Sequence, residues 1–164
     1  MKKIPLIVGT FLCSVTFSYG EILEIYPQIA GEITSIAKIN QTVKKGDTIV
    51  KFDERQIQMS IDKATVIVTF KKILLDDASK ILNENKTLFE STVAAKRDVD
   101  LAQLEYDKAK ALYEIEVSNL EYYKLEKEKY TIKAPFNGVI KDIPNHLNVT
   151  NLNQPKVLLV LESK

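Results

Sequence analysis

Apolar residues follow two different patterns along the chain, and the change between them divides the sequence into three segments. Residues 22–53 and 130–164 contain short runs of β-branched and aromatic residues separated by turn-forming residues, which predicts strands. Residues 54–129 contain no glycine and no proline, and their apolar residues recur at steps of three and four, which predicts long helices. We therefore expect an α+β protein in which a helical segment is inserted into a β domain.

The helical segment carries two apolar stripes with heptad spacing. The first stripe consists of Ile57, Ile61, Ala64, Val68, Leu75, Ala78, Leu82 and Phe89. The second stripe consists of Leu101, Leu104, Ala111, Ile115, Tyr122 and Leu125. The periodicity lapses between about residues 83 and 99, so the chain is predicted to reverse there into an antiparallel coiled-coil hairpin whose two stripes face each other. The alternative is one continuous helix of about 75 residues that dimerises.

The two β segments resemble each other, which indicates an internal repeat. Ala30–Ile33 in the first segment and Asn137–Ile140 in the second occupy comparable places, and a second turn follows fifteen residues after each glycine, at Gly46-Asp47 and at Asn153-Gln154. Each copy alone could bury little apolar surface, so the copies are expected to pack face to face as one split β-sandwich. Gly31, Gly46 and Gly138 are predicted to adopt positive φ, which is cheap only for glycine.

Residues 1–20 have the order of a secretory signal. Two lysines precede an apolar stretch, Ile4–Phe17, and small residues at 18 and 20 predict cleavage before Glu21. The predicted location is the periplasm, and a retained membrane anchor is the alternative. Cleavage would remove Cys13, the only cysteine, and leave 21 basic and 22 acidic residues, a formal charge of −1. A net charge this close to zero creates no strong electrostatic field that would attract nucleic acid.

Candidate catalytic chemistry is sparse. His146, the only histidine, stands in a stretch that is typical of an exposed loop, and the mature chain would offer no thiolate for a transition metal. The sequence contains neither a glycine-rich phosphate loop nor a nucleophile elbow. We therefore expect no enzymatic activity, no cofactor and no metal site.

Two strings within the β segments resemble a known family. Ile29–Asp53 and Tyr130–Ile140, the latter with the sequence Ala-Pro-Phe-Asn-Gly at 134–138, are similar to the biotinyl/lipoyl half-motifs of HlyD-like periplasmic adaptors, also called membrane fusion proteins. The resemblance implies a barrel-sandwich hybrid domain, split by the helical hairpin. It assigns structural half-motif positions to Gly31, Gly46, Asp47, Asp53, Ala134, Pro135 and Gly138.

The resemblance implies an adaptor subunit of a bacterial tripartite efflux or secretion system, which bridges an inner-membrane transporter and an outer-membrane channel. The family usually continues into a β-barrel and a membrane-proximal domain, whereas this chain ends at Lys164. Inner-membrane contact is therefore expected through a longer adaptor or the transporter itself. If the two stripes pack against each other, the isolated chain should be a monomer or a weak oligomer, which forms a homo-oligomer only when it assembles on such a partner. The alternative function is a stand-alone or degenerate periplasmic coiled-coil interaction protein.

In the resembling family the hairpin tip docks into the channel through an arginine, a leucine four positions later and a serine seven positions after that. With Leu88 on the leucine, the arginine position falls on Glu84 and the serine position on Ala95. The candidate partner-binding residues at the tip are Lys86, Leu88, Phe89, Ala95, Arg97 and Asp98. The alternative for the charged members is an ordinary solvated helix end.

Overall fold

A computed structural model of the protein describes residues 21–144, 148–149 and 156–164. Its elements in chain order are β1 (Ile22–Ile25), β2 (Gly31–Ile36), β3 (Thr42–Val43), β4 (Thr48–Phe52), α1 (Arg55–Glu90), α2 (Lys96–Glu128), β5 (Thr131–Lys133), β6 (Gly138–Asp142), β7 (Asn148–Val149) and β8 (Leu159–Ser163). The predicted signal segment, His146 and the turn at residues 153–154 lie outside the described residues. No helix within the described part combines the length and apolarity that crossing a membrane requires.

Each of the two antiparallel sheets contains strands from both β segments. One sheet has the order β1-β8-β6-β3, and the other has the order β5-β4-β2-β7. Strands before the hairpin therefore pair with strands after it in both sheets, as β1 does with β8 and β4 with β5. The predicted α+β fold, a split β-sandwich with an inserted helical hairpin, is confirmed.

The core of the β domain lies between these sheets and is formed by both segments. Its largest fully buried side chains are Phe52, Ile49, Ile140, Leu158, Leu159, Leu161, Val43 and Val50. In β4 the residues Ile49, Val50 and Phe52 are buried while Thr48 and Lys51 are exposed. Alternation therefore holds from Val50 to Phe52, and the two adjacent buried residues Ile49 and Val50 coincide with a register shift in the pairing of β4 with β5.

Backbone hydrogen bonds also join the two half-motifs directly. The Gly46 N–H donates to the Ala134 carbonyl at 2.8 Å, and the Ala134 N–H donates to the Asp47 carbonyl at 2.8 Å. The Asp47 carboxylate accepts from the Lys44 N–H at 2.8 Å and so closes the turn that presents Gly46. Because these bonds cross between segments, the turn at 44–47 depends on the second half of the chain.

The glycine predictions are correct at one position and wrong at two. Among the described glycines only Gly46 has positive φ, at 93°. Gly138 is required for a different reason, because a Cβ there would lie 2.2 Å from the carbonyl oxygen of Glu162 on the paired strand β8. A Cβ on Gly31 would lie 3.6 Å from Phe52 Cδ1, an ordinary contact. Gly31 therefore needs neither positive φ nor extra space.

The chain reverses at residues 91–95, so the hairpin prediction is correct and the single continuous helix is wrong. Helix α1 packs along α2 with most of the predicted first stripe turned inward. Its buried members are Ile57, Ala64, Leu75 and Leu82. Phe89, at the end of the stripe, is 44% exposed and does not belong to the buried seam.

The prediction for the second stripe is wrong, because that stripe lies on the outside of α2. Its large members are all exposed, with Ile115 at 55% and Tyr122 at 58%. The buried and half-buried positions of α2 instead follow a heptad series two residues earlier, Val99, Ala102, Tyr106, Ala109, Tyr113, Glu116, Leu120 and Tyr123. An offset of two residues is about 200° around a helix, which is nearly the opposite face.

Tyrosine and alanine side chains form much of the inward face of α2, and their properties suit a seam between two helices. A tyrosine ring has a large apolar body and a polar hydroxyl that can remain at the edge of a two-helix seam, and alanine allows close approach. The contact of Lys72 Nζ with the Tyr113 ring, 5.8 Å from its centroid, shows this ring lying against α1.

Candidate functional site

The tip of the hairpin is a defined turn with a strained residue. The Val93 N–H donates to the Leu88 carbonyl at 2.9 Å and the Thr92 N–H donates to the Phe89 carbonyl at 2.9 Å, which is the bond pattern of a Schellman motif. Thr92 occupies the left-handed position of that motif with φ of 63°. Glycine usually fills this position, and a β-branched residue there is strained.

Asp98 fixes the start of α2. Its carboxylate accepts from the Ala95 N–H at 3.1 Å, while the Ala95 carbonyl accepts from the Asp98 N–H at 2.9 Å. A carboxylate in the first turn is also favoured by the helix dipole. The structure therefore gives Asp98 and Ala95, two of the predicted partner-binding residues, a role in shaping the turn.

Apolar side chains are exposed on this turn. Leu88 and Phe89 are each 44% exposed, and Val93 between the helices is 74% exposed. Lys86 and Arg97 are exposed near them, so the tip combines three apolar side chains with two cations. The sequence reasoning missed Val93, although an apolar residue inside a predicted reversal was a signal for it.

The half-motif residues lie in the β domain, and among them Asp53 lies where the hairpin joins that domain, between β4 and α1. Asp53 directly precedes Glu54, the N-cap residue of α1, and its carboxylate accepts from the Arg55 N–H at 2.9 Å and pairs with the Arg55 guanidinium. The side-chain hydrogen bonds from Arg55, aided by the backbone bond, lower the pKa of Asp53 to about 2. The first turn of α1 is thereby anchored to the end of β4.

Glu54 ties both helices to the β domain. Its carboxylate lies 3.4 Å from Lys51 Nζ in β4 and 3.5 Å from Lys127 Nζ in α2, and it accepts from the Thr131 hydroxyl of β5 at 3.3 Å. Partial burial opposes ionisation of Glu54, but the two lysines outweigh it and hold the pKa below its ordinary value. The hairpin thus has a fixed base from which α1, 36 residues long, carries the tip about 50 Å away.

Both helices present apolar residues on the faces turned away from each other. On α2 the outer stripe is the series Leu101, Leu104, Ala111, Ile115, Tyr122 and Leu125. On α1 the outer stripe is Met59, Val66, Phe70 and Ile73. Exposed apolar rows of this length are typical of interaction surfaces.

This architecture is shared with several solved structures, although no model of a known protein family matches the sequence. The membrane fusion protein Spr0693 from Streptococcus pneumoniae R6 superimposes with a TM-score of 0.67 over 88% of this chain, at 14% identity. The chain has the fold of a membrane fusion protein. ZneB from Cupriavidus metallidurans gives 0.59 and MacA from Actinobacillus actinomycetemcomitans gives 0.52, each at 20% identity over 88% of this chain.

The shared region is only part of these proteins. The chain spans 62% of the membrane fusion protein Spr0693, 64% of ZneB and 51% of MacA. At 14–20% identity the likeness concerns the fold, and the hairpin with its β domain is the part that this chain has in common with them.

Proposed function

We propose that this chain is an HlyD-like adaptor subunit in the periplasm, which bridges an inner-membrane transporter and an outer-membrane channel of an efflux or secretion system. In this proposal residues 1–20 direct export, residues 22–53 and 130–164 form the lipoyl-like domain, and residues 54–129 form the hairpin that reaches the channel. The protein acts through packing surfaces and carries out no reaction.

The observation that carries the proposal is the exposed apolar tip at the far end of a membrane fusion protein hairpin. Leu88, Phe89 and Val93 stand on a turn held by backbone hydrogen bonds and by Asp98. Exposure of these apolar side chains to water does not stabilise the isolated chain, whereas the helix ends of a channel could bury them. The candidate channel contacts are accordingly these three residues, with Lys86 and Arg97 as cations beside them.

The mechanism that follows is geometric. The ion pairs of Glu54 and the hydrogen bond from the Arg55 N–H to Asp53 fix the direction in which the hairpin leaves the β domain. A rigid hairpin about 50 Å long can then hold two membrane components at a set separation. The lipoyl-like domain would face the inner-membrane component, which is the transporter or a longer adaptor.

Site-specific photo-cross-linking in the native cell tests this function. A cross-linker at Leu88 or Val93 is expected to capture the outer-membrane channel, and one at Ile39, which is 52% exposed in the β domain, is expected to capture the inner-membrane component. Lys110, exposed in the middle of α2, is the control and should capture neither. Recovery of neither component in native cells that express an efflux or secretion system would contradict the proposal and favour the stand-alone coiled-coil protein.

A further inference from the structure

The outer stripe of α2 is bordered by a continuous row of carboxylates. Asp100, Asp107, Glu114, Glu121 and Glu128 repeat every seven residues and are all exposed. Each lies three or four positions from members of the outer stripe, so the row runs along one side of it for most of the helix. We call these five residues the acidic row.

The other side of the stripe is acidic as well. Asp98, Glu105 and Glu126 lie there, together with Leu112, which is 47% exposed. Lys108 is the one basic residue on this half of α2 between residues 98 and 128, and it is paired with Glu105 at 2.7 Å. Lys110 and Lys124 contact Glu114 and Glu121 at 3.9 and 3.5 Å, from the side of the acidic row away from the stripe.

A second copy of the chain is a poor match for this surface. Side-by-side hairpins that point the same way would set α1 of one copy antiparallel to α2 of the next, stripe against stripe. The row of α1 that would then meet the acidic row is Asp62, Thr69, Asp76, Asn83 and Glu90, which contains no basic residue. Three carboxylates would therefore approach five, and like charges beside a seam are unfavourable.

We propose that the outer face of α2 binds a helix of a different chain, one with an apolar stripe flanked by basic residues. The exposed aliphatic side chains supply the buried area, and the acidic row selects the partner and its register by charge. This inference rests on the proposed function, in which the partner is another subunit of the same assembly, such as a second adaptor. The contact on the outer face of α2 is therefore heteromeric.

Two synthetic helical peptides about four heptads long provide the test. Both carry leucine at the two stripe positions, and one has lysine and the other glutamate at the flanking positions. The mature chain is titrated with each labelled peptide by fluorescence anisotropy. The lysine peptide is expected to bind at least about tenfold more tightly, with a preference that decreases as salt is added.

Matched variants test whether the preference for the lysine peptide depends on the outer face of α2. E114K/E121K on α2 should reduce the preference at least about fivefold, whereas D62K/E90K on α1, with the same change of charge, should leave it in place. L104S/I115S should weaken both peptides. Circular dichroism of each variant verifies that the hairpin is retained.

Equal binding of the two peptides, or equal effects of the two charge reversals, would overturn the inference. Sedimentation of the unliganded chain is the second test. Self-association at micromolar concentration that L104S/I115S abolishes would also overturn the inference, because a second copy of the chain would then occupy the outer face of α2. Either result leaves the cross-linking from Leu88 unaffected, so failure of this inference can be told apart from failure of the proposed function.

Discussion

The β domain encloses most of its apolar residues, whereas the hairpin leaves most of its own in contact with solvent. Phe52, Ile140 and Leu159 are each at most 1% exposed, while Ile115 and Tyr122 of α2 are more than half exposed. Within α2, Lys96–Glu128, only Ala102 is buried. Burial of apolar area is the main stabilising contribution to folding, so stability resides mainly in the β domain and the hairpin supplies surfaces for other chains.

The largest expected effect comes from the backbone contact inside the β domain. Gly138→Ala places a Cβ against the Glu162 carbonyl, so strands β6 and β8 must separate, and the free energy of unfolding should fall by about 3 kcal/mol or more. Gly31→Ala is the matched control, since its Cβ meets only an ordinary contact and the change should be below about 1 kcal/mol. Urea denaturation followed by circular dichroism measures both. Equal midpoints for the two variants would refute the close-approach argument.

The same measurement separates the two faces of the hairpin. Leu82→Ala removes a buried side chain from the seam, and we expect a loss of about 2 kcal/mol. Leu104→Ala removes an exposed side chain of the same size, and the expected loss is below about 0.5 kcal/mol. A larger loss for Leu104→Ala than for Leu82→Ala would mean that the stripe of α2 predicted from the sequence does face α1.

The inward face of α2 could not be predicted because the sequence contains two heptad series on one helix. Leu101, Leu104 and Ile115 are the more apolar series, but burial is decided by contact with α1, and Tyr106 and Tyr113 make that contact. On α1 the competing outer stripe extends only from Met59 to Ile73, whereas the inward stripe extends from Ile57 to Leu82 and was predicted correctly. Periodicity identifies a stripe but does not reveal whether the partner helix belongs to the same chain.

The two required glycines also differ in whether the requirement arises from neighbouring residues or from a distant strand. Positive φ at Gly46 follows from its own turn, between Lys44 and Asp47, and was predicted from that local sequence. The requirement at Gly138 comes from Glu162, a residue of a strand that no local pattern places opposite it. At the tip, the resemblance identified Leu88 and Phe89, but their contact with a channel stays a prediction.

A smaller effect of opposite sign is expected at the tip. Thr92→Gly relieves the left-handed strain at φ of 63°, and we expect the free energy of unfolding to rise by about 1 kcal/mol. Thr87→Gly, inside α1, is the control and should destabilise slightly, by about 0.3 kcal/mol, because glycine has a lower helix propensity than threonine. Thermal unfolding of both variants decides the sign, and a destabilising Thr92→Gly would show that the turn does not require left-handed geometry.

The smallest effect concerns the contact between Asp53 and Arg55 at the base of the hairpin. Because Arg55 lowers the pKa of Asp53 to about 2 in the folded protein, this carboxylate stabilises the fold above its ordinary pKa near 4. That contribution declines as pH falls below about 4 and is lost only once pH is below about 2. Asp53→Asn should thus be less stable than the parent at neutral pH, and the difference should shrink steadily between about pH 4 and pH 2. A difference that is constant between pH 6 and pH 2 would contradict the assigned pKa.

Cysteine reactivity tests most directly the central claim that the outer face of α2 is free in the isolated chain and covered in the working assembly. The only natural cysteine is Cys13, so a single cysteine at Leu104 in a Cys13→Ala background gives one reporter on this face, and Lys110→Cys gives a control on another face. Both should react rapidly with maleimide in the purified protein. In native cells that express an efflux or secretion system, we predict strong protection of the cysteine at 104 and continued reaction at 110. Equal reactivity at position 104 in cells and in solution would contradict it.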